Sequence, residues 1–145
     1  FFKNFKGESV NRMKKEGIQS LLSIEYSSIH RMFSPRKCSG INFYKVIFQL
    51  AVNIGRKLNV DALLGHPRRI TGTNSIIAEA GATCYEKEVS MYGVTVDLYV
   101  SSPFDIKPFE NKEMNIVNQL WKSRLDTTNE TLTNDINDLD LKKAG

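Results

Sequence analysis

Residues 41–58 constrain the fold more than any other stretch. Tyr44, Ile47, Phe48, Ala51, Ile54 and Leu58 recur at three- and four-residue steps, the spacing of one helix face. Val46 and Leu50 widen that face, and an apolar face this broad is expected of a helix pressed onto a sheet. Val60 to Leu64 follows as a short apolar run without alternation, the pattern of a central strand buried on both sides. A β-favouring segment at 23–33, carrying Ile24, Tyr26, Ile29 and Phe33, precedes the helix. Strand, helix and strand in this order predict an α/β (α+β) domain in which Val60–Leu64 lies parallel to the earlier strand and beside it.

The segment joining the first strand to the helix is Phe33-Ser34-Pro35-Arg36-Lys37-Cys38-Ser39-Gly40-Ile41-Asn42. A strand that runs through a polar, glycine-containing loop into a helix leaves backbone N–H groups without intrahelical partners. With the positive end of the helix dipole they form a seat for an anion such as a phosphate. Gly40 allows close approach of the backbone, and Arg36 and Lys37 add positive charge. Loops of this composition also serve as plain connections, so the signal gains weight only from what surrounds it.

Elsewhere, residues 6–22 suggest a surface helix broken at Gly17. Gly65-His66-Pro67 ends the strand at 60–64 and leads into a basic loop, Arg68 to Gly72. Thr73 or Asn74 is positioned to cap a short helix to Glu79, which Ala80-Gly81-Ala82 closes. Residues 83–90 and 92–100 read as strands; in the second, Val94, Val96, Leu98 and Val100 share one side, opposite Thr95, Asp97 and Tyr99. Residues 112–125 suggest one amphipathic helix. The expected organisation is an N-terminal helical segment (1–22), a core (23–100), a C-terminal extension with a helix (101–125) and an acidic, disordered tail (126–145).

The 145-residue chain carries a net charge of +4. The basic excess lies before residue 126, which fits an anionic ligand or an acidic partner. Dense Lys/Arg blocks interleaved with aromatics are missing from the sequence, so nucleic acid is not the expected partner. No apolar run reaches the length needed to span a bilayer, and no signal peptide is visible at the start, so the expected location is cytoplasmic. Cys38 and Cys84 match no metal-site spacing; reduced thiols are the expectation, with a disulfide as the alternative. No metal is expected.

The order of elements resembles the C-terminal half of the GNAT acyltransferase superfamily, over roughly residues 23–100. That family has a Gln/Arg-x-x-Gly-x-Gly/Ala loop whose N–H groups hold the pyrophosphate of coenzyme A. The matching residues here are Lys37-Cys38-Ser39-Gly40-Ile41-Asn42, preceded by Phe33-Ser34-Pro35. Asn74…Ala80-Gly81-Ala82 is similar to the family's Asn…Leu-Gly-Phe element, and Tyr92 to Leu98 to its last strand. Within the superfamily the chain resembles the branch that makes N-acyl amino acids and acyl-homoserine lactones. The resemblance implies a mixed sheet flanked by helices, here without the usual N-terminal strands, which leaves three expectations: a fragment, a reduced domain, or a second chain that completes the fold. Lys37 and Asn42 depart from the loop pattern, and Ile77 stands where the family often has a proton-donating tyrosine.

The resemblance also implies a donor, acyl-CoA or acyl carrier protein with its pantetheine, and Phe33, Lys37, Cys38, Ser39, Gly40, Ile41, Asn42 and Asn74 as its contacts. For direct attack by an amine, Glu25 and His30 are the candidate catalytic groups, His30 because its unperturbed pKa near ~6.5 suits a general base. His66-Pro67-Arg68-Arg69 offers a contact for an anionic substrate. Two readings follow: an acyltransferase passing an acyl group to an amine, or a catalytically silent GNAT-like binding or structural subunit acting with a partner chain.

Overall fold

The computed structural model describes residues 5–25, 29–91 and 93–124. In chain order these form α1 (Gly7–Lys15), β1 (Leu21–Ile24), α2 (Phe43–Lys57), β2 (Ala62–Gly65), α3 (Thr73–Glu79), β3 (Thr83–Met91), β4 (Val94–Ser101) and α4 (Asn111–Ser123), with 3-10 turns at Arg31–Phe33 and Arg69–Thr71. The fold is mixed α and β. The strands make one sheet in the order β1-β2-β4-β3. β1 and β2 are parallel, in register from Leu21 opposite Ala62 to Ile24 opposite Gly65. β2 and β3 both run antiparallel to β4.

The alternation of β4 sorts the core onto two faces. Val96, Leu98 and Val100 join Ala62 and Leu64 of β2 and meet Phe5 and Met13 on one side. Tyr99 and Leu63 meet Phe48 and Val52 of α2 and Ile77 of α3 on the other. The sheet thus lies between α1 and the pair α2–α3, and α4 packs on α2. The segment after β4 straps the second layer: Arg56 donates to the carbonyls of Pro103 at 2.8 Å and Ile106 at 3.2 Å, and Lys107 N–H donates to Ala80 O at 3.0 Å.

Several expected boundaries shift. The N-terminal helix ends at Lys15, where Gly17 takes a left-handed φ of +76°. Gln19 and Ser20 N–H then donate to Asp61 Oδ2 at 2.9 and 2.7 Å, and the chain enters β1. The strand expected at 23–33 is both earlier and shorter. Its partner β2 ends at Gly65 and gives way to His66-Pro67, and a proline cannot extend a hydrogen-bonded ladder. The β1–β2 pairing therefore stops at Ile24, and Arg31–Phe33 forms a 3-10 turn; residues 26–28 of the expected strand lie outside the described residues. The cap of α3 is Gly72, at φ +69°, rather than Thr73 or Asn74. Gly81 does close α3 in the left-handed conformation. Tyr26, Tyr92 and the tail at 126–145 lie outside the described residues. Among the described residues no helix is long and apolar enough to cross a membrane.

Candidate functional site

A cavity of about 310 Å³ opens at the carboxyl ends of the two parallel strands. Such strand ends are where open α/β sheets bind ligands, because the connecting loops diverge there. Ile24 and Gly65 form its floor, Tyr44, Ile47 and Phe48 of α2 and Ile76 and Ile77 of α3 form its walls, and Met91, Val94 and Val96 of the hairpin close it. The lining is mostly apolar with few polar groups, and the volume sits at the small end of the ~300–1,000 Å³ range of ligand pockets. The polar exceptions are His66, Arg68, Thr71 and Thr73.

Register explains how His66 arrives there. Ile24 pairs with Gly65, so the next residues, Glu25 and His66, leave adjacent parallel strands together. Burial lowers the pKa of His66 from its ordinary 6.5, and the Glu25 charge works against that shift. That shift favours the neutral imidazole, the form that accepts a proton. Glu25 Oε1 accepts from Ser23 Oγ at 2.8 Å. Pro67 is fixed by Asp97 N–H, which donates to its carbonyl at 3.2 Å. Thr71 Oγ1 lies 2.7 Å from Thr73 Oγ1 and donates to Arg68 O at 2.8 Å.

The two expected catalytic groups part company. Glu25 lies close enough to His66 to act on its charge. His30 is exposed and is not part of the cavity wall, and its Nδ1 accepts a long 3.4 Å contact from Met32 N–H. The histidine at the cavity is His66. Its position after a strand-ending glycine was visible in the sequence, but which strand end faced a cavity was not.

The loop at 37–42 is internally bonded. Lys37 N–H donates to Ser34 O at 2.9 Å, Cys38 N–H to Ser34 O at 3.1 Å, Gly40 N–H to Pro35 O at 2.8 Å and Ile41 N–H to Cys38 O at 2.9 Å. Ser39 and Gly40 take positive φ values of 52° and 77° to make these turns. Asn42 is the N-cap of α2, its Oδ1 accepting from Tyr44 N–H at 3.0 Å. Asn42 N–H donates to Glu113 Oε1 at 3.0 Å. The seat expected for a phosphate thus holds a carboxylate from α4. Phe33 is exposed and stacks edge-on against Phe43, with centroids 5.5 Å apart. Asn74 is not on the cavity wall; it bonds Asp97 and serves the fold.

Cys38 and Cys84 are free thiols. Cys38 Sγ lies 3.6 Å from Met32 O, and burial raises the pKa of Cys84; neither lines the cavity. Among the described residues no group of three or more His, Cys, Asp or Glu is placed to hold a metal ion. No protein-family model, no curated protein and no solved structure matches this chain.

Proposed function

We propose that the chain is an acyltransferase that holds the acyl group of a pantetheine thioester in the cavity and passes it to an amine, with His66 as the general base. The observation that carries this reading is an imidazole whose neutral form is favoured, in a mostly apolar cavity, flanked by Glu25 where two parallel strands end. The imidazole takes a proton from the acceptor ammonium. The freed amine attacks the thioester carbonyl carbon; a C–N bond forms and the C–S bond breaks. The departing thiolate takes the proton back from the imidazolium, so one group serves as base and then acid. The regenerated imidazole then takes the second proton of the attacking nitrogen and passes it to water, so ammonium and thioester give a neutral amide, a free thiol and one released proton without a tyrosine at Ile77. Glu25 steadies the imidazolium while it exists. The apolar wall excludes water, which favours the amine over hydrolysis.

The test is thiol release from octanoyl-CoA in the presence of mixed amino acids and amines. Wild-type protein is expected to release free coenzyme A, and His66→Ala to lower the rate by about 10²–10⁴-fold. His30→Ala should leave it unchanged. Equal rates for wild type and His66→Ala would end this reading. A second reading, a silent binding subunit, draws support from one observation: Asn42 caps the Tyr44 N–H of α2, and Glu113 already accepts from the N–H of Asn42 itself. It predicts that octanoyl-CoA binds and no thiol is released.

A further inference from the structure

Glu113 is a charged residue at 2% exposure, and only one of its carboxylate oxygens has a partner. Oε1 accepts from Asn42 N–H at 3.0 Å, while Oε2 is buried without a hydrogen bond. Leaving a buried carboxylate oxygen unpaired costs free energy, so something else must favour this placement. Two helices supply it. Glu113 lies in the first turn of α4 and accepts from the N–H of Asn42, the N-cap of α2, so the positive ends of both dipoles bear on one carboxylate. A cation is near as well: a Cβ built on Gly40 would lie 3.3 Å from Lys112 Nζ. These are the features of an anion site, filled from within the chain.

We infer that Glu113 is an internal occupant of this seat, and that α4 and a phosphate-bearing ligand compete for the N-terminus of α2. This rests on the reading that the donor's phosphates approach residues 37–42. The seat adjoins the cavity, since Tyr44 and Ile47 of α2 line it. A donor with its acyl group in the cavity therefore meets Glu113 at its phosphates. The ligand's phosphate takes the Asn42 N–H from a half-satisfied carboxylate, and α4 lifts. Lys112, carried on the same helix, leaves with it, so the competition is between two complete sets of contacts. α4 then works as a built-in inhibitor, whose release sets the apparent affinity for donor.

Calorimetric titration of the full chain with coenzyme A tests this. Glu113→Gln keeps the shape and removes the charge, and should bind at least tenfold more tightly than wild type. Glu110→Gln is the control: it removes an equal charge from an exposed carboxylate of the same region, 3.9 Å from Lys112 Nζ. It should alter affinity less than twofold. Hydrogen exchange on the wild type needs no variant: saturating coenzyme A should speed exchange of the amides of 111–123 at least tenfold. Equal binding by wild type and Glu113→Gln, or α4 amides unchanged or slowed in the complex, overturns the competition and leaves the donor reading standing. Absence of binding by both folded proteins overturns the two together. A misfolded Glu113→Gln, detected by circular dichroism, leaves the wild-type exchange result to decide.

Discussion

Asn74 Nδ2 donates to Asp97 Oδ2 at 2.6 Å, tying the first turn of α3 to the middle of β4. Asp97 is 4% exposed, and its other oxygen accepts from Glu88 N–H at 2.9 Å and faces Arg69 Nε at 3.5 Å. One carboxylate thus holds α3, the irregular part of β3 and the turn at Arg69–Thr71 in place. Glu88, at φ +60°, lies within the register shift between Glu86 and Val89 of β3, where its N–H turns toward Asp97. Asp97→Ala leaves the half-buried Asn74 Nδ2 without this acceptor and unties Glu88 N–H and Arg69, which keeps its ion pair with Glu88. The expected cost is about 3 kcal/mol, seen as a fall in Tm of roughly 10 °C by circular dichroism.

Gly55 is where α2 comes closest to the sheet. A methyl there would lie 2.8 Å from Leu63 Cδ2, 3.3 Å from Pro103 Cβ and 3.4 Å from Val60 Cγ2. Leu63 is buried at 2% exposure, so its methyl has nowhere to go. Alanine's helical preference, about 1 kcal/mol over glycine, is offset by this crowding. Gly55→Val has the crowding without that compensation and should lower stability by about 2–3 kcal/mol, measured by urea unfolding.

The Glu25–His66 pairing makes a prediction about pH. The chain has two histidines, so both are separable by NMR titration. His66 should titrate below 6.5, because its buried imidazole resists protonation. Glu25→Gln removes the opposing charge and should lower the His66 midpoint further, with His30 unaffected. The sign for stability follows: a lowered folded pKa means the unfolded chain binds the proton more readily. The His66 contribution is complete above pH 6.5 and fades as pH falls through the folded value. An unchanged His66 midpoint in Glu25→Gln would mean the two groups do not interact.

Asp61 anchors the entry to β1 by accepting from two N–H groups and from Ser20 Oγ at 2.9 Å. The bonds from the Gln19 and Ser20 backbones, then from the Ser20 hydroxyl, hold its carboxyl below the ordinary 3.8. Its stabilisation is therefore complete above pH 3.8 and is lost as pH drops through the folded value. Asp61→Ala should melt below wild type at pH 6, and the two melting curves should converge once the pH has fallen through the folded value.

How much was legible in the sequence depended on the range of the forces involved. α2 could be read because its apolar spacing is a local property, and Gly17 and Gly81 because a left-handed residue ends a helix wherever it sits. β1 was misjudged because strand length is set by the partner's length, and Pro67 of the partner lies far along the chain from Ile24. In the sequence His66 reads as a contact for an anionic substrate and not as a base, since nothing between residues 25 and 66 states that their strands pair in register.

Spacing and chirality, which act over a few residues, decided that there would be helices at 43–57 and 73–79 and a parallel pair of strands around the first of them. Tertiary packing decided the chemistry of the sites. It set Glu25 beside His66 and carried Glu113 to Asn42 across 71 residues of chain. A carboxylate goes where helix dipoles and unpaired N–H groups converge, and that convergence exists only once α2 and α4 have docked.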